Sequence, residues 1–404
     1  MQLGSDGNFE LTYCTNIHPG NGWHEVFANL RKFGPALKSR LSPNAPFGLG
    51  LRLSNQEARE LLESNSLEEL AAFLDEHGLY VSILNGFPYG SFHRQVVKAD
   101  VFAPDWRDKE RLAYTLRLTK ILKRLLPAGA EGGISTVPLS YKRWIAPDDA
   151  EAWPSIVQNI TAVAETMARL RRSENILMHL DIEPEPDGLI ENGAEIVDFY
   201  QDRLIPVAAP MLAKALEVSL EQARADLLEH VRICFDTCHL AVEYENFDAM
   251  LKQFTDAGIK IGRLQISSAL KIDLDGDKLR RAGLSADLEP FAESTYLHQV
   301  IERRISGELH RYPDLVEALP GIQNREAAEW RIHFHVPLFV EQCGKFGSTQ
   351  GQIRTAMDLL KRNQFTRHLE IETYTWDVLP PSLKQDLLES IVREYQWVIE
   401  AFQA

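Results

Sequence analysis

Eight short apolar runs recur along the chain with longer stretches between them, and this alternation constrains the fold more than any other feature. The runs are 11–17 (LTYCTNI), 47–52 (FGLGLR), 78–84 (GLYVSIL), 132–138 (GGISTVP), 175–183 (NILMHLDIE), 231–236 (VRICFD), 259–266 (IKIGRLQI) and 367–373 (RHLEIET). Between them apolar residues recur at helical spacing, as in 66–78, 108–127 and 156–172, and residues 380–402 read as a closing helix. Strands joined through helices run parallel, because no hairpin connects them. Eight such units predict an α/β fold, a (β/α)8 TIM barrel rather than an open doubly wound sheet. The chain shows no glycine-rich dinucleotide or P-loop signature that would favour the open sheet.

With 404 residues, 45% hydrophobic and 25% charged, the chain can bury a large core, and residues 1–404 read as a single domain. A net charge of −15 and the lack of any long Lys/Arg run disfavour a nucleic-acid partner, since phosphate binding is built on cationic contacts. An acidic surface better suits a small soluble ligand. The N-terminus lacks a signal-peptide pattern and no stretch approaches the ~18 apolar residues of a membrane span. A cytoplasmic location with no membrane insertion is the expectation. Cys14, Cys234, Cys238 and Cys343 lack zinc-ribbon spacing and read as buried reduced thiols. Two segments exceed what a barrel needs. Residues 85–107, rich in aromatics, Gly and Pro, read as a long loop on the strand-end face, and residues 267–366 as a lid-like insertion with extended loops over the C-terminal face. Within it, Arg303, Arg304 and Arg311 among Tyr296, His298 and Tyr312 suit a polyhydroxylated or anionic ligand.

Acidic residues close three of the apolar runs. HLDIEPEP (179–186) delivers Glu183 and Glu185 where a proline stops the strand, VRICFDTCH (231–239) ends on Asp236 and His239, and HLEIETYTW (368–376) carries Glu372. In a parallel barrel these C-terminal ends converge on one face, so Glu183, Asp236, the polar Gln265 and Glu372 would meet. Carboxylates that close repel one another. A divalent cation removes that penalty, and Mn, Zn, Mg or Co all suit Glu, Asp and a His or Gln. The competing reading pairs each acid with a neighbouring Lys or Arg. His333 and His335 lie two apart, so on an extended segment they face one side and could grip an ion or a substrate oxygen, or else sit as a satisfied inner pair. Glu185 and Glu191 read equally as substrate binders or as solvated acids.

These residues carry a resemblance. FDTCH, with a strand-end Glu before it and a final-strand Glu after it, resembles the xylose-isomerase-like barrel superfamily of sugar isomerases, ketose epimerases and apurinic endonucleases. More closely, LTYCTNIHPG, VSILNGFPYGSFH, DIEPEPDGLIE, FDTCHLAVEYE, HFHVPLF and HLEIETYTWDVLP, spread over nearly the whole chain, look like the EboE family of metabolite-traffic proteins. The resemblance implies a metal set of Glu183, Asp236 and Glu372, with Gln265 where epimerases usually place a histidine, so that His239 or His335 would supply the nitrogen ligand. It allows one ion, or two if His239 and the His333/His335 pair hold another. Asn85 and Val137–Pro138, standing where the endonucleases carry histidines, argue against a DNA nuclease. The implied activity is that of a metal-dependent sugar isomerase or epimerase acting on a small polyhydroxylated metabolite in secondary metabolism, with Glu183 and Glu372 as catalytic acid and base. Substrate would be bound by His18, Asn85, Glu185, His239, His333 and Arg304. Alternatives are a non-catalytic metabolite carrier, whose partners come from the same pathway, and a metal-dependent hydrolase.

Overall fold

The computed structural model describes all residues except 5–6, 92, 94–95, 147, 275–277, 378, 380–385 and 404. Eight parallel strands form the main sheet: β1 (Phe9–Tyr13), β2 (Phe47–Arg52), β3 (Leu79–Asn85), β4 (Glu131–Thr136), β5 (Leu177–Ile182), β6 (Val231–Asp236), β7 (Ile261–Ile266) and β8 (His368–Ile371). They pair in the order β1-β8-β7-β6-β5-β4-β3-β2. The bounds agree with the sequence reading to within two residues except at 11–17, where β1 stops at Tyr13 and a 3-10 turn, Thr15–Ile17, follows. The sheet curls until β1 and β2 touch at one parallel bridge, Cys14 with Gly50. Residues 1–3 occupy the rest of that seam: Gln2 and Leu3 pair antiparallel with Glu10 and Phe9, and the Leu11 N–H donates to the Met1 carbonyl at 2.7 Å.

Helices follow their local signals. Ser66–His77 ends on Gly78 at φ 61°, a left-handed position suited to glycine, and Lys109–Leu125 starts on Asp108, whose side chain accepts from the Glu110 N–H. Ala152–Glu174 covers the expected 156–172. The closing helix runs Leu387–Gln403; the expected residues 380–385 lie outside the described residues. Cys14, Cys234 and Cys238 are buried and free, as read, and the Cys343 side chain lies outside the description. No helix among the described residues is long and apolar enough to cross a membrane.

The stretch read as lid loops is folded. Ala269–Asp273, Val300–Arg304, Leu309–Tyr312, Ala327–His335, Gln342–Cys343 and Phe346–Ser348 form a six-stranded antiparallel sheet. Trp330, Ile332 and Phe334 are fully buried in it. Its arginines are spent on carboxylates: Arg303 pairs with Glu329, Arg304 with Glu302 and Glu308, and Arg311 with Glu243. Helix Gln350–Asn363, with Ile353, Met357 and Leu360 buried, then returns the chain to β8.

A polar layer runs through the interior of the main sheet. The fully buried Arg263 on β7 donates to Asp181 Oδ2 at 3.1 Å, to Glu370 Oε2 at 2.7 Å and to the Leu84 carbonyl at 3.0 Å. Glycine makes room for it, since a Cβ at Gly50 or Gly262 would lie 1.8 Å from Glu370 Oε1 or Asp181 Oδ1.

Candidate metal centre

Glu183 follows β5, Asp236 ends β6, Gln265 lies on β7 and Glu372 follows β8, so the parallel register delivers all four to the C-terminal edge. Carboxylate oxygens of Glu183, Asp236 and Glu372 lie within 4.8 Å of one another. The Gln265 amide nitrogen sits among them, 2.7 Å from Glu183 Oε1, 2.8 Å from Asp236 Oδ2 and 2.7 Å from Glu372 Oε2. An amide has two hydrogens, so at most two of these three contacts are hydrogen bonds. Rotating the amide exchanges its nitrogen and oxygen, and would bring Oε1 among three carboxylates, an arrangement that only a cation makes favourable. Glu183 Oε2 is buried with no hydrogen-bond partner among the described residues. Three carboxylates and an amide oxygen are a fitting set for a dication.

Neighbours hold these ligands in place. Asp236 Oδ1 accepts from the N–H groups of Cys238 and His239 and from Ser267 Oγ, capping helix Thr237–Val242 and leaving Oδ2 to the centre. Glu372 Oε1 accepts from Asn16 at 2.7 Å and Asn85 at 3.1 Å, leaving Oε2 to the centre. Burial, then mutual repulsion with the other carboxylates, pushes Glu183 and Glu372 well above the usual range. Burial also acts to raise Asp236, but the rings of His239 and His335 and its own hydrogen bonds hold it below that range.

The inner sheet brings histidines to the same place. His239 Nδ1 faces the Pro184 carbonyl at 3.0 Å and His335 Nδ1 the Glu372 carbonyl at 2.9 Å; a carbonyl only accepts, so each ring carries its proton on Nδ1 and presents a bare Nε2. His333 Nδ1 lies 2.8 Å from Gln299 Oε1, an orientation set because Gln299 Nε2 donates to the Pro186 carbonyl. Burial lowers all three histidines, His335 to about 4, so they are neutral near pH 7. Asp236, His239 and His335 offer ligand atoms within 4.8 Å of one another, a second cluster beside the first.

A cavity opens above the centre. Glu183, Glu185, His239, His333, Glu372, Asn85 and Asn16 line its polar side, and Phe87, Val97, Tyr296, Leu297 and Tyr374 the apolar side. The 85–107 segment contributes Phe87, Pro88, Val97, Lys98 and Val101 to the wall, on the strand-end face where the sequence placed it. Lys98 is drawn away by Asp314 at 2.6 Å. Glu185 is buried, which raises it well above the usual range, and Gln299 Nε2 donates to its Oε1 at 3.4 Å. Two expected substrate binders stand elsewhere. His18 bonds the Tyr13 hydroxyl at 2.9 Å and stacks on Phe33, with burial lowering it to about 3, behind Asn16 rather than in the cavity. Arg304 is held at the hairpin by Glu302 and Glu308 and does not line the cavity. Glu191 pairs with Lys142. Sequence reasoning passed over Asn16, Gln299 and Tyr374; Asn16 lies three residues past the end of β1 and Tyr374 two residues past Glu372, so position after a strand end was the available signal for both.

No protein-family model and no curated protein matches the chain. Solved structures do. The IOLI protein with a binding zinc atom aligns over 98% of both chains at 11% identity and a TM-score of 0.48. The probable 3-DHS dehydratase AsbF, involved in petrobactin synthesis in Bacillus anthracis, aligns over 96% of this chain and 98% of its own at 12% identity and 0.43. A xylose isomerase domain containing protein from Salmonella typhimurium LT2 covers 100% of both chains at 12% and 0.42. At these scores and identities the likenesses transfer no metal, substrate or reaction to this chain.

Proposed function

We propose that this chain is a metal-dependent isomerase or epimerase acting on a small polyhydroxylated metabolite, built on a xylose-isomerase-like (β/α)8 barrel and working in the cytoplasm within a metabolite-traffic pathway of the EboE type. The observation that carries this reading is the Gln265 amide nitrogen held 2.7–2.8 Å from three buried carboxylates, a point that calls for more positive charge than two amide hydrogens supply. Glu183, Asp236, Glu372 and Gln265 would hold one dication of Mn, Zn, Mg or Co, with His239 or His335 as nitrogen donor. Such an ion supplies Lewis-acid polarisation of a substrate carbonyl or hydroxyl. Glu183 and Glu372 approach the centre from different strands, β5 and β8, and serve as the acid–base pair. Asn16 and Asn85 orient Glu372 for that task. His333 and Glu185 hold substrate oxygens, while Phe87, Tyr296 and Tyr374 cover the carbon skeleton and exclude water.

A second reading rests on the Asp236, His239 and His335 cluster: with a further ion there, the same cavity would suit hydrolysis by an activated water. A carrier that releases its ligand unchanged is the rival of another class. Incubation with a panel of ketoses and polyol phosphates in heavy water separates them. Solvent deuterium at a substrate carbon supports the isomerase. Cleaved product without exchange moves the assignment to the hydrolase, and tight binding with neither exchange nor cleavage moves it to the carrier.

A further inference from the structure

Strands β5 and β8 carry the same five-residue pattern, HLDIE at 179–183 and HLEIE at 368–372. Alternate residues of a strand share a face, so each pattern stacks three side chains inside the sheet: a Glu at the C-terminal edge, an acid in the middle and a His at the N-terminal end. The upper pair, Glu183 and Glu372, belongs to the candidate centre, and the middle pair, Asp181 and Glu370, is joined by Arg263. The lower pair, His179 and His368, lies four residues below the upper, roughly 13 Å at ~3.3 Å per residue. Glu131, the first residue of β4, joins it there. Ligand atoms of Glu131, His179 and His368 lie within 4.8 Å of one another.

The histidine surroundings are those of metal ligands. His179 Nδ1 meets Asp181 Oδ1 at 2.5 Å, so that ring has a carboxylate hydrogen-bonded at its back, while Glu10 Oε2 lies 3.5 Å from His368 Nδ1 without a hydrogen bond. Neither Nε2 has a hydrogen-bond partner among the described residues, although the rings are only 0% and 1% exposed. His179 Nε2 is 3.3 Å from Glu131 Oε1, close to the ~3.3 Å edge of a tetrahedron with ~2.0 Å bonds. Gly133 keeps the space open, for a Cβ there would lie 2.5 Å from His179 Cε1. Arg232 also donates to Glu131 Oε1, and the Glu131 side chain is 21% exposed, leaving a route for an ion and a water from the N-terminal face.

We infer that Glu131, His179 and His368 form a metal site at the N-terminal end of the sheet, separate from the candidate centre and suited to zinc or a similar first-row dication. An ion there ties β4 and β5 to β8 across the interior, a structural role, and leaves the chemistry at the other end untouched. The test is anomalous diffraction at the zinc edge from crystals of the full chain equilibrated with zinc, together with zinc stoichiometry by equilibrium dialysis. A peak among the three side chains is expected, whatever is found at Glu183, Asp236 and Glu372. His368→Gln should lose one zinc equivalent. Glu131→Gln, a near-isosteric change at a partly exposed side chain, should lower affinity at this site by more than the ~10- to 100-fold typical of an outer-shell partner. No peak at millimolar zinc, or stoichiometry and affinity unchanged in Glu131→Gln, overturns the inference and leaves the direct contacts of His179 with Asp181 and Glu131 as the explanation of the cluster. Because the two peaks lie at opposite ends of the strands, failure here and failure of the proposed function are told apart.

Discussion

Replacing Gln265 by Leu tests whether the centre is closed by an amide or by a cation. Without metal, the amide is the group that bridges Glu183, Asp236 and Glu372, and its two hydrogens make two charge-assisted hydrogen bonds at 2.7–2.8 Å. Hydrogen bonds to charged groups contribute about 1.5–3 kcal/mol each, so Gln265→Leu should destabilise the chelator-treated protein by about 3–6 kcal/mol. With a saturating dication the balance changes. The ion neutralises the trio and the lost group is only a neutral ligand, so the deficit relative to wild type should shrink to about 1–2 kcal/mol, near a tenfold change in metal affinity. Urea unfolding followed by circular dichroism, in EDTA and again in zinc or manganese, measures both numbers. A deficit that is the same in the two conditions would refute the cation argument, because the amide would then matter equally with and without metal. Wild-type stability in EDTA would refute the geometry itself.

Glu183→Gln and Glu372→Gln should each lower bound metal at the candidate centre by at least tenfold and abolish turnover with the fold intact; elemental analysis after dialysis checks this, and full metal content in both would contradict it. Arg263→Met leaves buried Glu370 without its cation and Asp181 with His179 alone, and should cost about 3–5 kcal/mol. At about 2.1 cal/mol/K per residue over 404 residues, that is a fall in Tm of about 4–6 °C by calorimetry, and an unchanged Tm would show that the buried pairs contribute nothing. Glu394 is raised by burial from 4.5 to about 7, with Thr373 Oγ1 and the Leu338 N–H donating to Oε1. The folded state therefore keeps a proton that the unfolded state has lost, so stability falls as pH rises from 4.5 to about 7, by about 3 kcal/mol in all. Glu394→Gln should flatten that decline in urea titrations at pH 5, 6 and 7, whereas a parallel curve would remove Glu394 as its source.

The parallel strands were readable because each is a short apolar run bounded by turn residues, and the centre because Glu183, Asp236 and Glu372 each close one. The inner sheet was not. Its strands ALKID, VIERR and LHRY carry charged residues that in isolation read as solvated loop, and what makes them strands is non-local: Leu270, Ile272, Val300 and Ile301 are buried, and Arg303 meets Glu329 and Arg311 meets Glu243 across gaps of 26 and 68 residues. For the same reason the arginines that looked like ligand binders are structural. The polar interior was hidden by a general rule, that a strand buried on both faces should be apolar. His179, Asp181, Arg263, His368 and Glu370 break it, all with exposure of 1% or less. Its signal lay in the repeat of HLDIE and HLEIE together with glycines at 50, 133 and 262 on other strands, where any side chain would collide with that layer. Large polar residues on two strands matched by missing side chains on others show that the interior was shaped to hold charge. A metal at the C-terminal edge, Arg263 in the middle and an ion at the N-terminal end would together neutralise an axis of carboxylates that no apolar packing could accommodate.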